Sequence, residues 1–333
     1  MQRLFLLTGL IFISPGTIWG QSHIADTPWG HPSLEGLWSN ETLTPFERPH
    51  DQADREYITQ EEASAAAYRK AAAIAMDAEP RTKKAVPPKK GGNVGGYNLG
   101  WLDNGTTVVS TMRSSQIVAP ANGRVPVRER ILEQRDDDYR KSFEDPEVMS
   151  VWDRCITRGV PGSMLPAGYN NYYRIVQRHE AVLIYYEMIH ETRYIPLSDE
   201  PRLEHVGFWN GQPRGYWEGS ALIVKTRGFN NKGWIATSFF QGRIKGVPHT
   251  KKLEVTERFE RIDDDTVLWR ATVSDPEIYH SEWTVEIPLE RRSGQKIYEY
   301  ACHEGNQAVA VSYTHLRAHE TDSYLVCRLL LEK

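Results

Sequence analysis

Three glutamates interrupt otherwise apolar alternations, and any chemistry would start with them. In Leu253-Val255-Glu257-Phe259, Ile297-Glu299-Ala301 and Leu183-Tyr185-Glu187-Ile189, one carboxylate stands among residues that are otherwise small or apolar. On an extended strand such a set shares one face. A carboxylate on an apolar face is costly unless it is paired or hydrated. A barrel lumen holding ligand or water would hydrate all three, and Arg193, Arg214 and Arg270 are candidate ion partners. Read as function, Glu187, Glu257 and Glu299 are polar hooks that orient a ligand, with His190 or His303 as acid or base. Read as structure, each pins a loop or closes an internal ion pair.

His-Glu dipeptides recur at 179–180, 190–191 and 303–304. Adjacent residues on a strand point to opposite faces, so such a pair chelates one ion only from a loop, as His303-Glu304-Gly305-Asn306 would be. There is no HxH or HExxH spacing, no GxSxG elbow, no Gly-rich phosphate loop and no CxxC, so no metal and no cofactor is expected. Cys155 and Cys302 are expected to pair as a disulfide. The bridge would close a loop of about 150 residues, worth at most about 5 kcal/mol by chain entropy.

The elements that must position these residues change character midway. Thr59 can cap a helix running to Glu79, with Glu61 and Glu62 at its positive end and an Ala-rich body, and Pro80 ends it. A basic, Pro/Gly-rich loop follows over 81–96. Strand signals occupy 97–120 around an Asn104-Gly105 turn. Arg128 to Lys141 and 146–155 read as helices. From Tyr169 onward, alternating runs are separated by turns: 169–178, 181–197, 205–210, 214–219, 221–229, 252–262, 266–274, 279–289 and 296–302. Period-two alternation with short connections predicts a mainly β protein, an antiparallel meander closing into a lipocalin-like barrel. A two-sheet sandwich is the second choice. The expected organisation is a signal peptide over 1–20, an irregular and partly helical region over 21–150 packing on the barrel, the barrel over 151–310, and a tail over 311–333.

Arg3 followed by the apolar run Leu4 to Ile13, then Pro15 and Gly16, reads as an export signal cut near Gln21. Ten apolar residues are too few to cross a bilayer, so no integral membrane segment is expected in the mature chain, which would reside in the periplasm or outside the cell. The 333 residues carry 40 Lys+Arg against 44 Asp+Glu, a formal charge of −4, which argues against nucleic-acid binding. The string from Ser312 to Lys333 resembles translated adaptor sequence, so His315, His319 and Cys327 are not used as ligands.

Several strings recur in an order that resembles an uncharacterised family of secreted bacterial β-rich proteins. They are the YNN ending at Asn171, Glu187-Met-Ile-His190, the RGYWEG from Arg214 to Gly219, Glu257-Arg-Phe259, and Glu299-Tyr-Ala-Cys-His-Glu-Gly-Asn306. The resemblance implies export and a β-rich fold, and brings no activity with it. Residues within these strings are the site candidates. Glu187, His190, His303 and Glu304 are the catalytic ones. Asn171, Arg214, Trp217, Glu218, Glu257, Glu299 and Asn306 are the ligand-binding ones. The first expected function is binding of a small hydrophobic or aromatic molecule in the barrel. The alternatives are a hydrolase, lyase or isomerase using a Glu/His pair in the same cavity, and an envelope structural module.

Overall fold

A computed structural model describes residues 26–52, 54–78, 102–103, 105–141, 148–235, 246–307, 309–311 and 313–314. The expected export signal, the basic loop and most of the tail lie outside them. The chain is mainly β, and nine strands form one nearly closed barrel. They are β1 (Gly36–Ser39), β3 (Tyr172–Gln177), β4 (Ala181–Tyr186), β5 (Thr192–Pro196), β6 (Gln212–Glu218), β7 (Ala221–Arg227), β10 (Glu254–Arg261), β11 (Thr266–Ser274) and β12 (Trp283–Arg291). A short β2 (Ile117–Ala119) pairs with the other end of β12, and β8 (Trp234–Ile235) pairs with β9 (Val247–Pro248) as a separate ribbon.

Hydrogen-bonded neighbours run β5-β4-β3-β1-β12-β11-β10-β7-β6, which is chain order taken around a ring. β1 completes the ring by pairing with both β3 and β12. Every pairing among these nine strands is antiparallel, and nine is odd, so β5 and β6 at the remaining seam run in the same direction. Parallel neighbours cannot be joined by a tight hairpin. Residues 197–211 therefore carry the chain back, and the 205–210 run expected as a strand belongs to this connection. The seam is close: a Cβ on Gly215 would meet Leu197 Cδ2 at 2.7 Å and Ile195 Cγ2 at 3.0 Å.

The alternation that predicted these strands sets their burial. Val267, Trp269, Ala271 and Val273 of β11, and Trp283, Val285, Ile287 and Leu289 of β12, are fully buried. Trp38, Tyr186 and Phe259 join Trp269 and Trp283 among the largest fully buried side chains. Side chains thus occupy the interior that the sequence reading reserved for ligand and water, as in small barrels where inward residues meet across the axis.

Helix α1 (Gln60–Ala78) starts with the expected cap, made reciprocal: Glu62 N donates to Thr59 Oγ1 at 3.2 Å and Thr59 N donates to Glu62 Oε2 at 2.8 Å. Only Ala63 of this helix is buried. Helix α2 (Glu129–Lys141) is anchored by buried Ile131 and packs on β9. Other expectations change. Residues 148–155 form turns, 105–116 are mostly irregular, and 296–302 take no strand and do not join the sheet.

Candidate functional site

Glu187 and His190 act on the same piece of backbone, although not on each other. The 3-10 turn Met188–His190 ends β4's direction with Ile189 at φ 64° and His190 at φ 45°. Glu187, 2 % exposed, therefore leaves the inward alternation and accepts the Tyr298 N–H at 3.0 Å. His190 Nδ1 lies 2.7 Å from the Tyr300 carbonyl, so that nitrogen carries the proton. Tyr300 stacks on Tyr169, and Cys302 is bonded to Cys155 as expected. Asn306 Nδ2 donates to the Asp153 carbonyl at 2.7 Å. These contacts dock segment 296–306 against the barrel. Glu299, expected inward, is exposed, as are His303 and Glu304.

Glu257 is the one glutamate of the three that faces the interior. Its carboxylate accepts from Arg193 Nη2 at 2.5 Å and from Trp269 Nε1 at 3.2 Å, and Arg193 also donates to Thr226 at 2.8 Å. Against the cost of burial, the Glu257 charge holds Arg193 above its usual pKa. This is an internal ion pair, one of the two readings the sequence allowed. The other ligand candidates scatter. Asn171 spends its amide on Ala167 and on the Asp103 carbonyl. Arg214 donates to the carbonyls of Glu200, Pro201 and Pro213. Trp217 stacks on His31 at 4.6 Å, and Glu218 is exposed, 4.0 Å from Arg258. Arg270 pairs with Glu286.

An acidic cluster that no motif announced sits where β1 and β3 meet the 102–103 segment. Arg292 Nη2 donates to Glu41 at 2.5 Å. Burial first, then the Glu41 carboxyl and more distantly Glu187, push Asp103 up to about 7 against the pull of Arg292. Burial, Asp103 and Glu41 push Tyr172 up to about 12. Burial also raises Glu187, opposed by hydrogen bonds from Tyr298 and Asn170. A carboxyl near 7 suits acid–base work. Neither cleft described below touches this cluster.

Room for a ligand lies outside the barrel, between α2, segment 148–154 and the β8–β9 ribbon. The cleft measures about 450 Å³. Trp209 and Trp234 line it with Tyr139, and its charged residues are Arg135, Arg154, Lys232 and Asp138. Close backbone packing fixes the ribbon. A Cβ on Gly159 would come 2.5 Å from the Trp234 carbonyl, and one on Gly246 would come 1.9 Å from Trp234 Cε3. The indole therefore packs directly against Gly246, where no side chain would fit. Behind it, His249 is 4 % exposed, its Nε2 has no partner among the described residues, and burial lowers its pKa. A second, more open cleft of about 430 Å³ borders the β5/β6 seam and includes Arg214, Tyr194 and Phe208. Sequence reasoning missed the first cleft because its residues come from five separated segments. The one available signal was Trp234 directly after the turn-forming run Asn230-Asn231-Lys232-Gly233.

These features define a disulfide-stapled antiparallel barrel with a filled interior and an aromatic external cleft. Comparison with family models, curated proteins and solved structures finds no match to the chain. Among the described residues, no helix is long and apolar enough to cross a membrane, and no three His, Cys, Asp or Glu side chains group to hold a metal ion.

Proposed function

We propose that the chain is an exported protein that binds a small aromatic molecule in the cleft between α2 and the β8–β9 ribbon. The observation that carries the reading is the cleft itself: about 450 Å³ of space, lined by two tryptophans and a tyrosine, with Trp234 packed closely against Gly246. That volume lies within the usual range for small-molecule sites. The reading keeps the ligand class expected from the sequence and moves it from the barrel interior to the outside. Export is supported by the Arg3 and Leu4–Ile13 pattern and by a disulfide of the kind that persists in oxidising compartments. Membership in the secreted β-rich family belongs to the same proposal.

The test is a thermal-shift screen of small aromatic compounds against the purified chain and Trp234→Leu. A ligand at about 100 times its Kd stabilises by about 2.7 kcal/mol, enough for a clear rise in Tm. Hits are expected on the wild type and lost in Trp234→Leu. A screen without hits, or hits that Trp234→Leu leaves unchanged, would overturn the proposal.

A further inference from the structure

We infer that the occupant of this cleft is a planar aromatic anion, a carboxylate or sulfonate on a ring system; the inference rests on the binding role proposed above. Three cationic side chains and one carboxylate line the space, an excess of positive charge in a chain whose net charge is −4. Arg135 is partly engaged, its Nε donating to Asp136 at 3.2 Å. Arg154 differs: its side chain is half-buried at the cleft wall, and its buried Nε–H has no acceptor among the described residues. A guanidinium presents its donors in a planar fork, and a planar oxyanion is the group whose geometry fits that fork. Lys232 stands on the exposed turn before Trp234, where it can add charge without rigid geometry. Trp234, fixed on Gly246, offers a preset ring for stacking at little entropic cost. The arrangement separates two tasks: the indoles take the ring system, and Arg154 with Lys232 takes the anion. A neutral sugar could stack on the same indoles but would leave the cationic side unmatched.

Two fluorescent probes isolate the charge. 8-Anilinonaphthalene-1-sulfonate and N-phenyl-1-naphthylamine share one aromatic framework and differ by the sulfonate. Fluorescence titration of the whole chain should show the sulfonate binding about tenfold more tightly, the factor expected from one charge-assisted hydrogen bond. Added salt should narrow the gap. Arg154→Gln should remove most of the preference while leaving the neutral probe within about twofold. Lys232→Gln, at an exposed position where folding is not at stake, should reduce the preference by about threefold, in line with a single partly screened charge. Equal affinity for the two probes, or charge variants that weaken both alike, would overturn the anion assignment while leaving aromatic binding in place. Failure of both probes to bind, or binding untouched by Trp234→Leu, would instead overturn the reading of the cleft as the site.

Discussion

Replacing Asp103 by Asn should stabilise the protein at neutral and alkaline pH. The Asp103 carboxyl is raised from 3.8 to about 7, first by burial and then by Glu41 and Glu187. The folded state therefore holds this proton more tightly than the unfolded chain. Between about pH 4 and pH 7 the native state binds more protons, so stability falls as pH rises through that window. The full shift of about 3 units corresponds to about 4 kcal/mol; partial exposure and the proton shared with Glu41 reduce this to about 2 kcal/mol. Asparagine is neutral at every pH and can still donate to Glu41, as the protonated acid does. Asn171 holds the Asp103 backbone carbonyl, which the substitution leaves in place. Urea unfolding followed by tryptophan fluorescence at pH 4, 6 and 8 measures the difference. The variant should match the wild type at pH 4 and exceed it by about 2 kcal/mol at pH 8. A variant equal to or weaker than the wild type at pH 8, or a difference that does not vary with pH, would refute the reasoning.

Other expectations follow from the same geometry. Glu257→Leu or Arg193→Met alone should cost about 3–5 kcal/mol by stranding a buried charge, whereas the two together should cost far less; a double-mutant cycle of denaturant midpoints reads the coupling, and additive losses would contradict it. Burial lowers the His249 pKa, so its contribution is present above about pH 6.5 and is lost as pH falls through the folded pKa. His249→Phe should flatten that acid-side loss in the same urea series, and an unchanged slope would count against it. Cys302→Ser should cost up to about 5 kcal/mol on the chain-entropy scale and raise amide exchange at Tyr298 and Tyr300. Exchange there that stays at wild-type rates would show that Glu187 and His190 dock the segment without the bridge.

The barrel was legible because long strands repeat their alternation. Val267 to Val273 and Trp283 to Leu289 each place four apolar residues on one face, and hydrogen bonding pairs the two runs directly. The Cys155–Cys302 bridge and the Thr59 cap were also readable, since each depends on a local or binary choice. β1 was not, because Gly36–Ser39 has only four residues and owes its extended state to β3 and β12 on either side. Ile297-Glu299-Ala301 misled for the opposite reason: the period was right, but no strand edge received it, and Glu187 and His190 hold its backbone instead. Among the three glutamates, only Glu257 had a buried cationic partner waiting in Arg193. The cleft and the Glu41–Asp103 pair are tertiary products, assembled from residues too far apart in the chain for spacing to reveal.

The ten tryptophans supply a direct test of where ligand sits. Each indole N–H gives its own nitrogen–proton NMR signal, and assignment by single substitution separates Trp209 and Trp234 at the cleft from Trp38, Trp269 and Trp283 inside the barrel. Titration with 8-anilinonaphthalene-1-sulfonate should move the Trp209 and Trp234 signals and leave the three interior signals in place. Movement of the interior signals with the cleft pair unmoved would contradict the account.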